Sequence, residues 1–235
     1  MKVTALTTKI FKEGEDLVGF ITIHLRKVKE NSIVVVTSKI VALAERRTAI
    51  VKDALTEEKL IRDESELAIK TKYVWLTVKD GAVMASAGID KSNANGKLIL
   101  LPRGSFKSAH VLRKVLMATY HLKRLGVVIT DSRTVPLRAG VTGVCIGYAG
   151  IRGIRDYRGT PDIFGRKLKF SRTNVVDSLA TAAVLVMGEG RERCPLAVIE
   201  NAPVEFCEKV RKNELRIAIE DDMYRPLFAR LSHPK

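Results

Sequence analysis

The 235-residue sequence is poor in cysteine, histidine and aromatic residues, and each shortage excludes a class of protein. Cys145, Cys194 and Cys207 have no paired metal-binding spacing and cannot all form disulfides, so they fit buried thiols in a reducing compartment. The four histidines show no H-x-x-x-H or H-x-x-E-H pattern, which argues against zinc. No apolar run approaches the ~20 residues of a membrane span, and the N-terminus lacks a signal-peptide core. We expect a cytoplasmic protein that does not enter a membrane.

Familiar nucleotide-binding and nucleophile motifs are also missing. The chain has neither a G-x-x-x-x-G-K-[ST] loop nor a G-x-G-x-x-G turn between strand and helix, so a bound nucleotide would not be held by a P-loop. There is no Ser-His-Asp or Cys-His set. The glycines of Gly143–Gly150 fall within an apolar, strand-like run, where close backbone packing and a phosphate cradle are both open interpretations.

The excess of positive charge is the unusual bulk property. Lys and Arg total 41 against 26 Asp and Glu, a formal net charge of +15, which favours anionic partners. The basic residues are dispersed and aromatics make up only 6%, whereas a single-strand binder would interleave stacking rings with its cations. Nucleic acid is therefore an unlikely partner, kept as an alternative on charge alone.

The hydrophobic pattern predicts an α+β fold in which helices alternate with strands and one hairpin. Predicted helices have apolar residues at helical spacing, and predicted strands are short β-branched or apolar runs. Thr56 is the expected N-cap of the second helix, Gly126 closes the third, and Asn174 caps the fourth. The predicted helices are 15–28, 56–70, 105–125, 175–187 and 220–231; the predicted strands are 32–36, 73–78, 82–86, 127–130 and 195–200.

Two acidic segments at predicted strand ends are the candidate site. The apolar run ending at Thr130 leads directly into Asp131 and Ser132. The run Ala82–Ser86 leads in the same way to Asp90. Open α/β sheets place ligand groups at such strand ends, and hard divalent cations prefer oxygen ligands of this kind. These residues predict a shared metal-phosphate site.

Several motifs resemble those of the gamma-glutamyl ligases that add glutamate to the deazaflavin coenzyme F420. They are SAGIDKSN, VVITDSRTVPLRAGVTGVCIGYAG, DYRGTPDIFGRKL and VLVMGEG, with a weaker match at VVVTSKIVALAERR, and they occur in that family's order. The resemblance implies a single domain over residues 1–235. It also implies a two-lobed α+β fold that forms a homodimer of intertwined subunits.

The resemblance also implies roles for individual residues. Asp90, Asp131, Ser132 and Glu189 match the family's ligands for Mg²⁺ or Mn²⁺. Glu189 also follows a predicted helix C-terminus, where partial negative charge favours a facing cation. The expected nucleotide contacts are Ser38, Asn93, Gly188 and Gly190. The loop 156–166 is expected to line the cleft, with Arg138 and Arg166 as candidates for phosphate recognition. Together with Asp90 and Asp131, Arg138 is an expected catalytic residue.

The implied reaction joins a carboxylate to the amine of L-glutamate, driven by GTP, with ATP not excluded. The carboxylate of an anionic small-molecule acceptor is first phosphorylated, and the amine then attacks the acyl phosphate. Three departures put the acceptor in doubt: Arg133-Thr134-Val135 replaces a Gly-Arg pair, Leu43 a lysine, and Arg46 a glycine. A ligase for another, folate-like acid and an inactive relative that binds nucleotide or an anion remain alternatives.

Overall fold

A computed structural model describes residues 1–211 and 213–226 of the chain, which form twelve strands and five helices. The strands are β1 (Lys2–Leu6), β2 (Ser32–Thr37), β3 (Thr48–Ala49), β4 (Leu67–Lys70), β5 (Trp75–Lys79), β6 (Ala82–Ala85), β7 (Leu98–Ile99), β8 (Leu125–Thr134), β9 (Val141–Ala149), β10 (Ile154–Asp156), β11 (Arg172–Asn174) and β12 (Leu196–Glu200). The helices are α1 (Leu17–His24), α2 (Ser38–Ala44), α3 (Ala54–Asp63), α4 (Ser105–Thr119) and α5 (Val175–Met187).

A five-stranded sheet of order β1-β12-β2-β8-β9 carries the core. Strands β2 and β8 pair in parallel, from Ser32↔Leu125 to Thr37↔Thr130, and the other neighbours are antiparallel. Residues 32–36 of β2 are all buried, because helices cover both faces of the sheet. A continuous β-branched run suits that position, since a strand buried on both faces does not alternate apolar and polar residues.

The helices divide between the two faces of this sheet. Apolar residues of α1, α2 and α4 pack on one face, for example Phe20, Val41 and Leu116. The other face is covered by α5, through residues such as Leu179 and Ala183, and by the segment that follows β12. The predicted α+β class is confirmed.

Smaller sheets lie outside the central one. The three-stranded sheet β4-β5-β6 is antiparallel, β3 pairs with β7, and β10 pairs with β11. The predicted hairpin is therefore present as β5 and β6, which turn through Asp80 and Gly81, both at positive φ. Positive φ at two successive turn residues is the geometry that two-residue hairpins require.

Three predicted helices are too long. The first is confined to α1, where the carboxylate of Asp16 accepts hydrogen bonds from two backbone N–H groups of the first turn. The second is α3, capped by Asp53 rather than Thr56, and residues 67–70 form the strand β4 instead. The third is α4, which ends at Thr119, so Gly126 does not close it and lies buried within β8. Helical spacing alone could not show where these helices end, or that residues 67–70 pair with β5.

The strand that carries Asp131 is longer than predicted. It runs on to Thr134 because β9 pairs antiparallel with it beyond the point where β2 stops. The pairing with β9 shifts register between Ile129 and Thr130, as at a β-bulge. Asp131 therefore lies inside β8, but it is the first residue beyond the parallel pairing with β2.

Near the C-terminal end, one predicted helix and one predicted strand are confirmed, and a second predicted helix is described only in part. The strand β12 and the helix α5 are present nearly as predicted, and the side chain of Asn174 accepts a hydrogen bond from the Asp177 N–H at the start of α5. Of the predicted helix 220–231, Ile219–Asp221 form a 3₁₀ turn, residues 225 and 226 are helical, and the remainder lies outside the described residues. No helix in the described part of the chain has the length and apolarity to cross a bilayer.

Candidate functional site

Eight of the predicted site residues line one cavity of about 1070 Å³, at the end of the central sheet where β2 and the parallel part of β8 finish. They come from four separate stretches of chain: Ser38, Asp90 and Asn93, Asp131 and Ser132, and Gly188–Gly190. The carboxyl ends of parallel strands meet at one edge of a sheet, and the loops that leave them surround a common space.

The parallel pairing brings Ser38 and Asp131 face to face. Each is the first residue after the last paired position, Thr37↔Thr130, and the Ser38 hydroxyl lies 3.4 Å from the Asp131 Oδ1. Burial raises the pKa of the Asp131 carboxyl, which the positive charge of Arg133 partly offsets and the negative charge of Asp90 reinforces. Asp131 is thus a half-buried carboxylate whose charged form is disfavoured, a state that a cation would stabilise.

Asp90 is held from two sides. Its backbone exchanges both hydrogen bonds with Ile99, and its carboxylate accepts from the Ser92 N–H at 2.6 Å and from the Lys39 ammonium at 2.8 Å. Lys39 also donates to the Ser92 carbonyl and hydroxyl. Burial alone would raise the pKa of the Asp90 carboxyl, but Lys39 and the Ser92 N–H hold it below its ordinary value. Of the two carboxyl groups, that of Asp90 therefore ionises more readily than that of Asp131.

The segment after α5 forms the opposite wall of the cavity. The exposed Glu189 carboxylate accepts a hydrogen bond from the Ser132 hydroxyl, and it forms no ion pair within the described residues. Gly188 has φ +79°, a left-handed conformation that leads the chain out of the helix. The Asn93 amide lies 3.5 Å from the Gly190 carbonyl, so the two loops meet across the cavity.

Arg138 and Arg166 are not brought together with the other eight residues. Arg138 is exposed in the turn between β8 and β9, and Arg166 is exposed in the loop between β10 and β11. Neither residue lines the cavity, and no residue of the loop 156–166 does. Their expected contact with phosphate therefore has no geometric support within one copy of the chain.

The glycines of β9 serve close packing. A Cβ on Gly143 would lie 2.5 Å from the Ala180 carbonyl oxygen of α5, and one on Gly147 would lie 2.4 Å from the Ser105 backbone of α4. Side chains at these positions would push both helices away from the sheet. For the glycines of Gly143–Gly150, the structure therefore supports close backbone packing and not a phosphate-binding loop.

Several basic residues of the cavity were not predicted. Lys9 and Lys12 precede α1, Lys39 follows Ser38, and Arg191 and Arg193 follow α5. Only Lys39 had a usable signal, because it is adjacent in sequence to a predicted contact. The others lie in irregular segments whose position depends on how β1 and β12 join the sheet, and no sequence pattern reports that pairing.

The arrangement is suited to an anion with a cation beside it. No three histidine, cysteine or carboxylate side chains in the described ranges 1–211 and 213–226 cluster as a complete metal cage. Asp90 and Asp131 nevertheless repel each other, and Ser132 and Glu189 add oxygens at the same wall. A divalent cation fits such a donor set when a phosphate or water completes its coordination. The lysines and arginines would hold the phosphates.

The chain matches a family model described as F420-0:Gamma-glutamyl ligase over residues 5–201. It is 32% identical to the coenzyme F420:L-glutamate ligase of Methanococcus maripaludis strain C6, an alignment that covers 96% of this chain and 97% of the relative. It is 31% identical to the protein of that name from Methanocaldococcus jannaschii, with the same coverage. The Archaeoglobus fulgidus protein of that name is 31% identical over 83% of this chain and 85% of its own length.

Proposed function

Because the chain belongs to the F420-0:gamma-glutamyl ligase family, we propose that it is a nucleotide- and metal-dependent ligase that joins L-glutamate to the carboxylate of an anionic small molecule. GTP is the proposed energy source, with ATP as the alternative, and Mg²⁺ or Mn²⁺ is the proposed cation. The acceptor is a phosphorylated, cofactor-type acid related to coenzyme F420.

One observation carries this proposal: two carboxylates of opposite ionisation tendency, Asp90 and Asp131, line one cavity with six basic side chains. A nucleotide that carries several negative charges needs both a cation ligand set and basic side chains around its phosphates. The cavity of about 1070 Å³ is large enough for a nucleotide together with the acceptor.

The proposed chemistry proceeds in two steps. The acceptor carboxylate attacks the terminal phosphorus of the nucleotide, the bond to the leaving diphosphate breaks, and an acyl phosphate forms. The glutamate amine then attacks the acyl carbon, phosphate leaves, the amine nitrogen loses a proton to solvent, and an amide results. A divalent cation held by Asp90, Asp131, Ser132 and Glu189 would supply positive charge to the phosphates. No protein nucleophile is required.

The side chains of this chain would orient the reactants. Lys39 is poised beside Asp90 and Ser92, where it can turn to a phosphate oxygen without leaving the cavity. Ser38 and Asn93 border the same space and can hydrogen-bond the nucleotide. Gly188 and Gly190 let the chain after α5 approach the ligand closely. Preorganised charge of this kind stabilises the developing negative charge of a transition state.

We also propose a homodimer. The loop between β10 and β11 carries Ile163, Phe164 and Phe170, each about nine-tenths exposed. Large apolar side chains grouped on one exposed loop are typical of an interface. Burial of this loop in a second copy would also place Arg166, which does not line the cavity of its own chain, at the interface between the two copies.

The first test is a thermal-shift titration with GTP or ATP and Mn²⁺ or Mg²⁺. A ligand at about 100 times its dissociation constant should stabilise the wild type by roughly 2.7 kcal/mol. Asp131→Asn should abolish the metal-dependent part of the shift, because it removes a charged cation ligand. Glu58→Gln is the control, since Glu58 pairs with Arg62 on α3 and does not line the cavity. A metal-dependent shift that survives in Asp131→Asn would contradict the proposed site.

Leu43 favours a second candidate function. It lines the cavity and packs against the buried residues Ala42 and Ile99, where the resemblance expects a lysine. A chain that lacks one phosphate contact could bind nucleotide or another anion without turnover. Phosphate release that depends on both L-glutamate and an acceptor acid supports the ligase; nucleotide binding with no release in any mixture of acids supports the binding protein.

A further inference from the structure

The loop that presents Asp90 begins with an unusual backbone. Ser86, Ala87 and Gly88, which follow β6, all have positive φ, at +46°, +56° and +70°. Two of the three are not glycine, and Ala87 is 1% exposed. Left-handed backbone costs free energy in residues with a Cβ, so other contacts must hold this turn in place.

Thr77 supplies those contacts. It lies in the middle of β5, it is fully buried, and it does not line the cavity. Its hydroxyl donates to the Met84 carbonyl at 2.7 Å and accepts from the Ala87 N–H at 2.8 Å. One side-chain oxygen thus joins β6 to the left-handed turn and satisfies the backbone N–H of the buried residue Ala87.

The turn then sets the position of Asp90. The Ile89 N–H donates to the Ser86 carbonyl at 3.0 Å, which closes the turn. Only Ile89 separates Gly88 from Asp90, which exchanges two backbone hydrogen bonds of 2.9 Å with Ile99. The Asp90 backbone is therefore fixed on one side by the turn and on the other by β7.

We propose that Thr77 is a positioning residue for the cation ligand Asp90, an inference that rests on the proposed function. Groups that hold a metal ligand in place through hydrogen bonds change metal affinity about 10–100-fold when they are removed. Thr77 holds Asp90 in this way from β5, through the backbone of the turn, and without contact to the Asp90 carboxylate.

The test uses a graded series at one position. Thr77→Ser keeps the hydroxyl, Thr77→Cys offers a weaker donor and acceptor, and Thr77→Val has nearly the same shape with neither. We expect the Mn²⁺ dissociation constant, measured by calorimetry without nucleotide, to be unchanged for Ser and to rise about tenfold for Val, with Cys between. If Thr77→Val does not fold, the Ser and Cys variants still give the order.

Met84→Ala is the matched control for lost stability. It truncates a buried side chain of the same sheet and leaves the carbonyl that Thr77 contacts. This variant should melt at a lower temperature but bind Mn²⁺ as the wild type does. Equal affinities across the Thr77 series, or an equal loss in Met84→Ala, would overturn the proposal.

Hydrogen exchange in the metal-free protein separates this inference from the proposed function. Exchange of the Asp90 and Ile99 amides should accelerate in Thr77→Val more than exchange of the Val35 amide in β2. Equal acceleration at all three amides means only global destabilisation, and it overturns the inference. If the wild type binds no Mn²⁺, the proposed metal site is rejected, and these exchange rates alone decide whether Thr77 holds the loop.

Discussion

Arg46 occupies a position that favours glycine. It follows the last residues of α2 with φ +55°, its N–H donates to the Leu43 carbonyl, and the Arg47 N–H donates to the Ala42 carbonyl. These two bonds define a Schellman motif, whose left-handed residue is usually glycine. Arg46→Gly should raise the free energy of unfolding by about 1 kcal/mol. Chemical denaturation measures the change.

Arg46→Ala is the control for that variant. Alanine removes the same side chain but keeps the Cβ that makes the left-handed backbone unfavourable, so this variant should gain nothing. Equal stability of the two variants would mean that the arginine side chain, and not the backbone, determines the effect. The resemblance implies a glycine at position 46, but the φ of Arg46 depends on where α2 ends.

Single residues of the site were predictable to different extents. Asp90, Asp131 and Glu189 lie next to apolar runs or glycines, so their environment is visible along the chain. Lys9 and Arg193 lie in irregular segments, and only the folded chain places them at the cavity. Local patterns report local surroundings, whereas a cavity is made of segments far apart in sequence.

A triad of charged side chains, Arg47, Glu64 and Lys79, joins the end of α3 to β5 and to the segment after α2. The Glu64 carboxylate, after α3, accepts from Arg47 at 2.7 and 2.8 Å and from Lys79 of β5 at 2.6 Å, and all three side chains are less than one-fifth exposed. Glu64→Gln leaves two cations with less compensation. We expect a loss of about 2 kcal/mol in the free energy of unfolding at neutral pH.

Glu58→Gln is the matched control for the triad. Glu58 pairs with Arg62 one turn along α3, and both side chains are much more exposed, so the loss should stay below about 0.5 kcal/mol. Similar losses in the two variants, measured by denaturant titration, would show that burial of the triad contributes nothing.

The contribution of Glu64 also depends on pH. Burial alone would raise the pKa of its carboxyl, but hydrogen bonds from Arg47 and Lys79 lower it below the ordinary value. The stabilisation is therefore complete above the unfolded pKa of about 4.3 and is lost as pH falls through the lower, folded pKa. The difference between the wild type and Glu64→Gln should shrink over that range in acid titrations followed by circular dichroism.

Elements were predicted best where tertiary contacts agree with local pattern. The helix α5 has a capping residue, an apolar stripe and a glycine at its end, and the structure keeps nearly the predicted bounds. Residues 67–70 look helical next to α3 but pair with β5, because a short amphipathic segment fits either structure. Hydrogen bonding to a neighbouring strand decided between them.

For the whole molecule, the exposed loop between β10 and β11 predicts self-association. Phe164→Ser and Phe170→Ser should each raise the dissociation constant of the proposed homodimer about tenfold or more, since burial of one phenylalanine stabilises by ~1.5–3 kcal/mol. Tyr73→Ser is the control, because Tyr73 is 83% exposed in the loop between β4 and β5 instead. Sedimentation equilibrium gives the mass; a wild type that stays monomeric at all concentrations would contradict the dimer.

The position of β12 has a consequence for synthesis of the chain. It lies between β1 and β2, so β1 has no partner in the central sheet until residues 196–200 have been made. The cavity residues all precede β12, yet the wall that follows α5 leads directly into it. Pairing between strands so far apart in sequence is slow. The nascent protein therefore exposes apolar strand edges until β12 has been made, and its ligand cavity forms only after residue 195 has been added.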